Sequence, residues 1–188
     1  FGGDNSALCI RQGNHVMSIK SFKSMDLMQL CGVIKNMYDE CTNIEQPQEI
    51  LVDVIGLGAG VVDRLAEQNL PVRGVNVAEA PATKKNYLNL RAELWFAIKD
   101  WLSGRDCRLP QDDELVAELA APLYKYTSTG KIKIESKDEM RKRGIKSPDK
   151  ADALALTMAS SAASFGGSVN FLGYNFKKPL KSRIIRIG

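Results

Sequence analysis

The run Ile50-Leu51-Val52-Asp53-Val54-Ile55, followed at once by Gly56-Leu57-Gly58-Ala59-Gly60, constrains the fold of this chain more than any other segment. A short apolar run of this length reads as a strand buried on both faces. The glycines turn it into a helix carrying Val61, Val62, Leu65 and Ala66, and Val72 to Val77 supplies the next strand. Strand, helix and strand in that order predict a parallel pair joined by a right-handed crossover. Such a pair belongs inside a layered α/β domain, where helices cover the sheet.

The flanking pattern fits that frame. Ser6 to Arg11 and His15 to Phe22 read as strands joined at Gln12-Gly13-Asn14, a hairpin signal. Ser24 reads as the cap of a helix with Leu27, Leu30, Cys31, Ile34, Met37 and Tyr38 at helical spacing. A long helix is expected from about Asn86 to Ser103, stopped at Gly104, and a shorter one from about Asp112 to Ala120. Leu123 to Thr127 and Lys131 to Glu135 predict a second hairpin. Ser147-Pro148-Asp149 is a strong start signal for a helix running to about Ala163. The expected architecture is a mixed sheet in an α/β domain over residues 1–165. Residues 166–188 read as a basic C-terminal tail that needs a partner to order.

Charge placement supports that division. The net charge of the 188 residues is +4, yet no acidic residue occurs from Ala153 to Gly188. Lys177, Lys178, Lys181, Arg183 and Arg186 supply five positive charges there, and removing those five from +4 leaves the rest of the chain at −1. A second basic cluster comprises Lys137, Arg141, Lys142, Arg143 and Lys146. Such clusters read either as a solvated face or as a polyanion-binding surface. No apolar run approaches the roughly 18 residues of a membrane span, and no signal segment is evident, so no membrane is expected as a partner.

Several chemistries fall away. Cys9, Cys31, Cys41 and Cys107 show no C-x-x-C spacing and read as reduced structural thiols. His15 is the sole histidine, which excludes a zinc site built on several imidazoles and leaves a Ser-His-Asp triad dependent on that one residue. Its place beside Gly13-Asn14 makes it a surface strand residue. A dinucleotide fingerprint would need its third glycine at position 61, which is Val61, and no phosphate-binding P-loop sequence occurs. Catalysis, if present, rests on carboxylates.

Two carboxylates are out of place. Asp53 interrupts a wholly apolar strand, where an uncompensated charge costs several kcal/mol. It reads either as a metal ligand or as a strand-end residue bonded to the glycine loop after it. Asp152 is the one charge of the segment Ala151 to Ala163, whose small and apolar residues imply packing on most faces. Asp149 lies three residues earlier, on the same face of the first turn. Compensation of the helix dipole accounts for Asp149 but poorly for Asp152. A strand carboxylate and a helix carboxylate meeting at a sheet edge make a hard, oxygen-rich site suited to Mg²⁺ or Mn²⁺. Arg91, Glu93 and Trp95 of the long helix read as packing and surface pairs.

The segments Phe1-Gly2-Gly3-Asp4-Asn5-Ser6, Val52 to Leu65, Asn89 to Trp95 and Ser147 to Leu154, in this order and spacing, resemble the nuclease domain of the large terminase subunit of tailed bacteriophages and prophages. The resemblance implies a ribonuclease H-like mixed β-sheet flanked by helices on both faces. It implies an endonuclease that cuts concatemeric viral DNA during genome packaging by two-metal-ion phosphodiester hydrolysis. Asp53 is then the second metal-binding acid and Asp152 the third, with Asp149 beside it. The family's first acid lies on a strand just before the Phe-Gly-Gly-Asp turn, where this chain begins, and Asp4 is a poor replacement near the site. Lys137, Arg141, Lys142, Arg143 and Lys146 are expected to line DNA backbone. Implied partners are double-stranded DNA, the terminase ATPase domain, the small terminase subunit and the portal, in the cytoplasm of a host bacterium. Two alternatives stay open: another ribonuclease H-like enzyme of resolvase or transposase type, and a non-catalytic DNA-binding or assembly module.

Overall fold

A computed structural model describes residues 5–41, 46–82 and 85–159, with the backbone of 170–171, 174–175 and 183–187. Asp4, named above as a possible site residue, lies outside the described residues. The element order opens with β1 (Ser6–Gln12), β2 (His15–Phe22), α1 (Leu27–Asp39), β3 (Glu49–Asp53), α2 (Gly58–Glu67) and β4 (Val72–Val75). There follow α3 (Leu90–Ser103), α4 (Asp113–Ala120), β5 (Tyr124–Tyr126), β6 (Ile132–Ile134), α5 (Lys137–Lys142) and α6 (Asp149–Leu156) with a 3-10 turn at Thr157–Ala159. Short strands β7 (Asn170–Phe171) and β8 (Tyr174–Asn175) pair with each other, and β9 (Arg183–Ile187) comes last.

The main sheet has the order β2-β1-β9-β3-β4. The β1–β2 hairpin is antiparallel and β3–β4 is the expected parallel pair, so the sheet is mixed. Its two faces bury separate cores. On β3, Ile50 and Val52 turn toward α1 and α2, where they pack with Leu30, Ile34, Val61 and Leu65. Leu51 turns to the opposite face and packs with Leu90, Leu94, Ile98, Ala151 and Leu154 of α3 and α6. This alternation follows from the two-residue period of a strand and puts helices on both faces.

Several boundaries differ from the sequence expectation, each for a local reason. The cap of α1 is Asp26 rather than Ser24: Asp26 accepts from the Gln29 amide, and the Gln29 side chain answers at the Asp26 amide in a capping box. Ser24 instead sits at φ +52° in the preceding turn. Pro148, not Ser147, is the cap residue of α6, because the Ser147 hydroxyl donates to Asp149 Oδ1 at 2.6 Å. The basic cluster around Arg141 is itself a helix, α5, started by a Ser136–Glu139 capping box.

The C-terminal stretch does not stay outside the fold over its whole length. The backbone of Arg183–Ile187 runs between β1 and β3, antiparallel to the first and parallel to the second. Its run Arg-Ile-Ile-Arg-Ile has the alternation-tolerant, β-branched composition that a central strand favours. The expectation of a basic tail over residues 166–188 therefore does not hold at Arg183–Ile187.

Candidate active site

Of the acids singled out from the sequence, Asp149 and Asp152 share the first turn of α6, and Asp53 closes β3. Asp53 is the last residue of β3 and pairs with Val75 at the end of β4. The two-residue period places its side chain on the Leu51 face, the face covered by α6. Beyond β4, Val77 and Glu79 accept backbone hydrogen bonds from Arg91 and Leu90, which sets the first turn of α3 at this same end. The Arg91 guanidinium then reaches Asp152 in the first turn of α6.

The turn after Asp53 explains the glycines. Ile55 donates its N–H to Asp53 Oδ1 at 3.1 Å, the strand-end contact that the sequence leaves open. Gly56 has φ +76°, in the left-handed region that favours glycine. At Gly58 an added Cβ would fall 1.6 Å from the Asp53 carbonyl oxygen, so the helix starts as close to the strand as backbone permits. The glycine run serves this turn, in keeping with the sequence reading that sets the dinucleotide fingerprint aside.

Asp152 is 7% exposed, and one of its oxygens is saturated. Oδ1 accepts from Trp95 Nε1 at 2.8 Å and from Arg91 Nη2 and Nε at 3.1 and 3.2 Å. Three donors on one oxygen fix the carboxylate plane and offset its desolvation. The second oxygen, Oδ2, lies 3.7 Å from Lys137 Nζ. Asp149 is also buried, and its Oδ1 accepts from Lys137 Nζ at 3.1 Å and from the Ser147 hydroxyl. The ammonium of Lys137 therefore sits between the two carboxylates of α6.

Arg91, Glu93 and Trp95 are not the surface pairs and plain packing expected of them. Arg91 and Trp95 hold Asp152, and Arg91 also donates to the Glu135 carbonyl at 2.7 Å. Glu93 is buried and accepts from the Ala82 amide at 2.6 Å. The segment containing Arg91 and Trp95 was noted in the sequence, but spacing along one helix carries no sign of partners some sixty residues away.

The basic cluster divides in two. Lys137 faces the acids, and Arg143 is committed to Glu135, with contacts of 2.6 and 2.7 Å, and to the Ala121 carbonyl. That pairing draws the Glu135 carboxyl below its usual range, chiefly through its hydrogen bonds to Arg143. Arg141 makes an exposed pair with Asp138, while Lys142 and Lys146 are exposed.

The donor set is all hard oxygen, and a cation already bridges Asp149 and Asp152 in the form of the Lys137 ammonium. That chemistry fits Mg²⁺ or Mn²⁺ in place of the ammonium. Among the described residues, no three carboxylate, thiol or imidazole side chains stand close enough together to hold a metal ion. Cys9 and Cys31 are buried, and Cys41 and Cys107 partly so. No helix of the described residues is long and apolar enough to cross a membrane.

No family model and no curated protein matches the sequence. Solved structures do match the fold. A K428A mutant of the large terminase subunit domain gp2c from bacteriophage Sf6, with calcium, superposes at a TM-score of 0.72 and 22% identity, covering 84% of this chain and 83% of that one. The same mutant nuclease domain with manganese and beta-thujaplicinol gives 0.71 at 22% identity, with coverages of 84% and 83%. The large terminase nuclease from thermophilic phage G20c with bound magnesium gives 0.64 at 14% identity, covering 85% of this chain and 76% of that chain. The chain thus has the ribonuclease H-like α/β fold of phage large terminase nuclease domains.

Proposed function

We propose that this chain is a metal-dependent DNA endonuclease domain of the phage large terminase type, cutting concatemeric DNA during packaging. The observation that carries the reading is the pair Asp149 and Asp152 facing one ammonium, that of Lys137, with Asp152 held by Arg91 and Trp95 through its other oxygen. The fold shared with terminase nucleases, some solved with manganese, magnesium or calcium, supports it.

Asp152 Oδ2, Asp149 and Asp53 would hold a pair of Mg²⁺ or Mn²⁺ ions. When bound, those ions neutralise the phosphoryl oxygens and lower the pKa of an attacking water. Arg91 and Trp95 orient the Asp152 carboxylate by satisfying Oδ1. Lys137 balances the two carboxylates in the absence of a divalent ion and can turn its ammonium to a DNA phosphate when one enters. Lys142, Lys146 and Arg141 lie on the exposed side of the same α5 region and suit sequence-independent phosphate contacts with duplex DNA. The ATPase domain, small subunit and portal follow as partners from the terminase reading, in the host bacterial cytoplasm.

A second reading, a DNA-binding or assembly module without cleavage, is favoured by one observation. The edge of β1 that β2 leaves free is taken by β9, which carries no carboxylate. Cleavage of plasmid DNA in Mn²⁺ with loss in Asp152→Asn supports the nuclease; DNA binding without cleavage supports the module.

A further inference from the structure

The acidic turn of α6 is gripped by α4 as well as by α3. Lys150, between Asp149 and Asp152 in sequence, is 8% exposed. Its Nζ lies 2.8 Å from Asp112 Oδ2 and 2.5 Å from Glu114 Oε2. The next residue, Ala151, donates its backbone N–H to Glu118 Oε2 at 2.9 Å. Asp112 is at the same time the cap of α4, accepting from the Leu115 amide at 3.0 Å. The start and the body of α4 therefore both end on one turn of α6.

A buried lysine is a poor choice for this place on general grounds. Cations are disfavoured at a helix N-terminus, and burial of the ammonium adds a desolvation cost. A simple apolar contact between α4 and α6 would be cheaper, since buried ion pairs give little net stability against apolar replacements. What the ion pairs add is direction: they fix how the first turn of α6 is rotated about its axis. Asp149, Lys150, Ala151 and Asp152 share that turn, so any rotation moves both carboxylates together.

We propose that Lys150 and Glu118 are positioning residues, through which α4 sets the orientation of Asp149 and Asp152 toward a divalent cation. The proposal rests on the functional reading above. At the far end of α6, Arg11 bonds the Thr157 hydroxyl and carbonyl at 2.8 Å each, so the helix is pinned at both ends and α4 governs the end that carries the acids.

The test is Mn²⁺ binding by the full 188-residue chain, read from the paramagnetic resonance signal of free Mn²⁺, with thermal melting in EDTA alongside. Lys150→Met and the pair Asp112→Asn/Glu114→Gln should each weaken Mn²⁺ binding by about tenfold, the usual loss when an outer-shell partner is removed. Their combination should be no weaker than either alone, because both remove the same interaction. Asn caps a helix as well as Asp, so the double variant leaves the start of α4 intact if Lys150→Met fails to fold. Glu118→Gln, whose amide carbonyl still accepts from Ala151, should bind as the parent does, whereas Glu118→Ala should lose affinity. Parental Mn²⁺ affinity in Lys150→Met and in the double variant, whatever their melting temperatures, would overturn the proposal. Fully additive losses would overturn it as well. Unchanged Mn²⁺ binding in Asp152→Asn would instead overturn the functional reading beneath it.

Discussion

The indole N–H of Trp95 donates to Oδ1 of Asp152 across 2.8 Å, with both side chains buried. Trp95→Phe keeps most of the packing and removes this bond. A hydrogen bond to a charged group is worth about 1.5–3 kcal/mol, so urea unfolding should show a loss of about 2 kcal/mol. Arg91→Met should cost about 3 kcal/mol or more, since it leaves a buried carboxylate short of its countercharge.

Gly58→Ala is expected to damage the site without touching a polar group. Its Cβ would overlap the Asp53 carbonyl oxygen, with 1.6 Å between them, so either β3 or α2 must shift. Overpacking of this kind costs about 3 kcal/mol and moves the Asp53 side chain with it. Denaturant unfolding reads the first effect, and the Mn²⁺ titration of the variant reads the second as a loss of affinity.

Glu118 gives the stability a pH dependence. Burial first, then the nearby charges of Asp149 and Glu114, raise its carboxyl from 4.5 to about 7, against the opposing bond from Ala151. The folded state therefore holds a proton that the unfolded chain releases near 4.5. The contribution of Glu118 is fully present below about 4.5 and is lost as pH rises through about 7. Glu118→Gln should flatten the fall in melting temperature over that window. An unchanged slope would remove Glu118 as its source.

Lys150 and Asp112 predict the opposite trend at lower pH. The Asp112 carboxyl is held below its usual range, mainly by the hydrogen bond from Lys150. A depressed carboxyl contributes stability above its unfolded pKa and loses it as pH falls through the folded value. Acid titration of the melting temperature should lose this component in Asp112→Asn.

The basic residues should separate by partner. Lys142→Ala/Lys146→Ala should weaken duplex DNA binding and lower its salt slope by about 2, close to one unit for each phosphate contact. Arg143→Ala should leave the slope unchanged and destabilise the β5–β6 hairpin instead, because Arg143 is tied to Glu135 and Ala121. Filter binding across a salt series distinguishes the two.

Lys137→Ala frees Asp149 and Asp152 from a competing ammonium. Mn²⁺ affinity should rise by about fivefold, the equivalent of roughly 1 kcal/mol for a half-exposed pair, and DNA affinity should fall. Lower Mn²⁺ affinity would mean that Lys137 supports the carboxylates rather than competing for them.

The sequence carried much of this in readable form. The parallel β3–β4 pair, the strand position of Asp53 and the shared face of Asp149 and Asp152 all follow from local periodicity. The helix expected from about Asp112 to Ala120 is found as Asp113–Ala120, whereas α3 starts at Leu90, capped by Asn89, later than the expected Asn86. What was not legible depends on distance along the chain. Nothing near Asp152 in sequence points to Arg91 or Trp95, and nothing near Lys150 points to Asp112. Helix α5 was hidden by its charge, since a stretch with one buried residue, Met140, shows no apolar periodicity. The central placement of β9 was hidden too, because a short basic strand and a solvated tail share a composition.

In the function proposed above, Asp53 and Asp152 serve one divalent-cation site that cleaves DNA. The most direct test is nicking and linearisation of supercoiled plasmid in Mn²⁺, Mg²⁺ or EDTA. The chain and a form with a short upstream extension would be compared with Asp53→Asn and Asp152→Asn. The expected result is Mn²⁺-dependent cleavage that EDTA abolishes and that both substitutions remove. Cleavage persisting in both variants, or DNA binding without cleavage in either form, would contradict it.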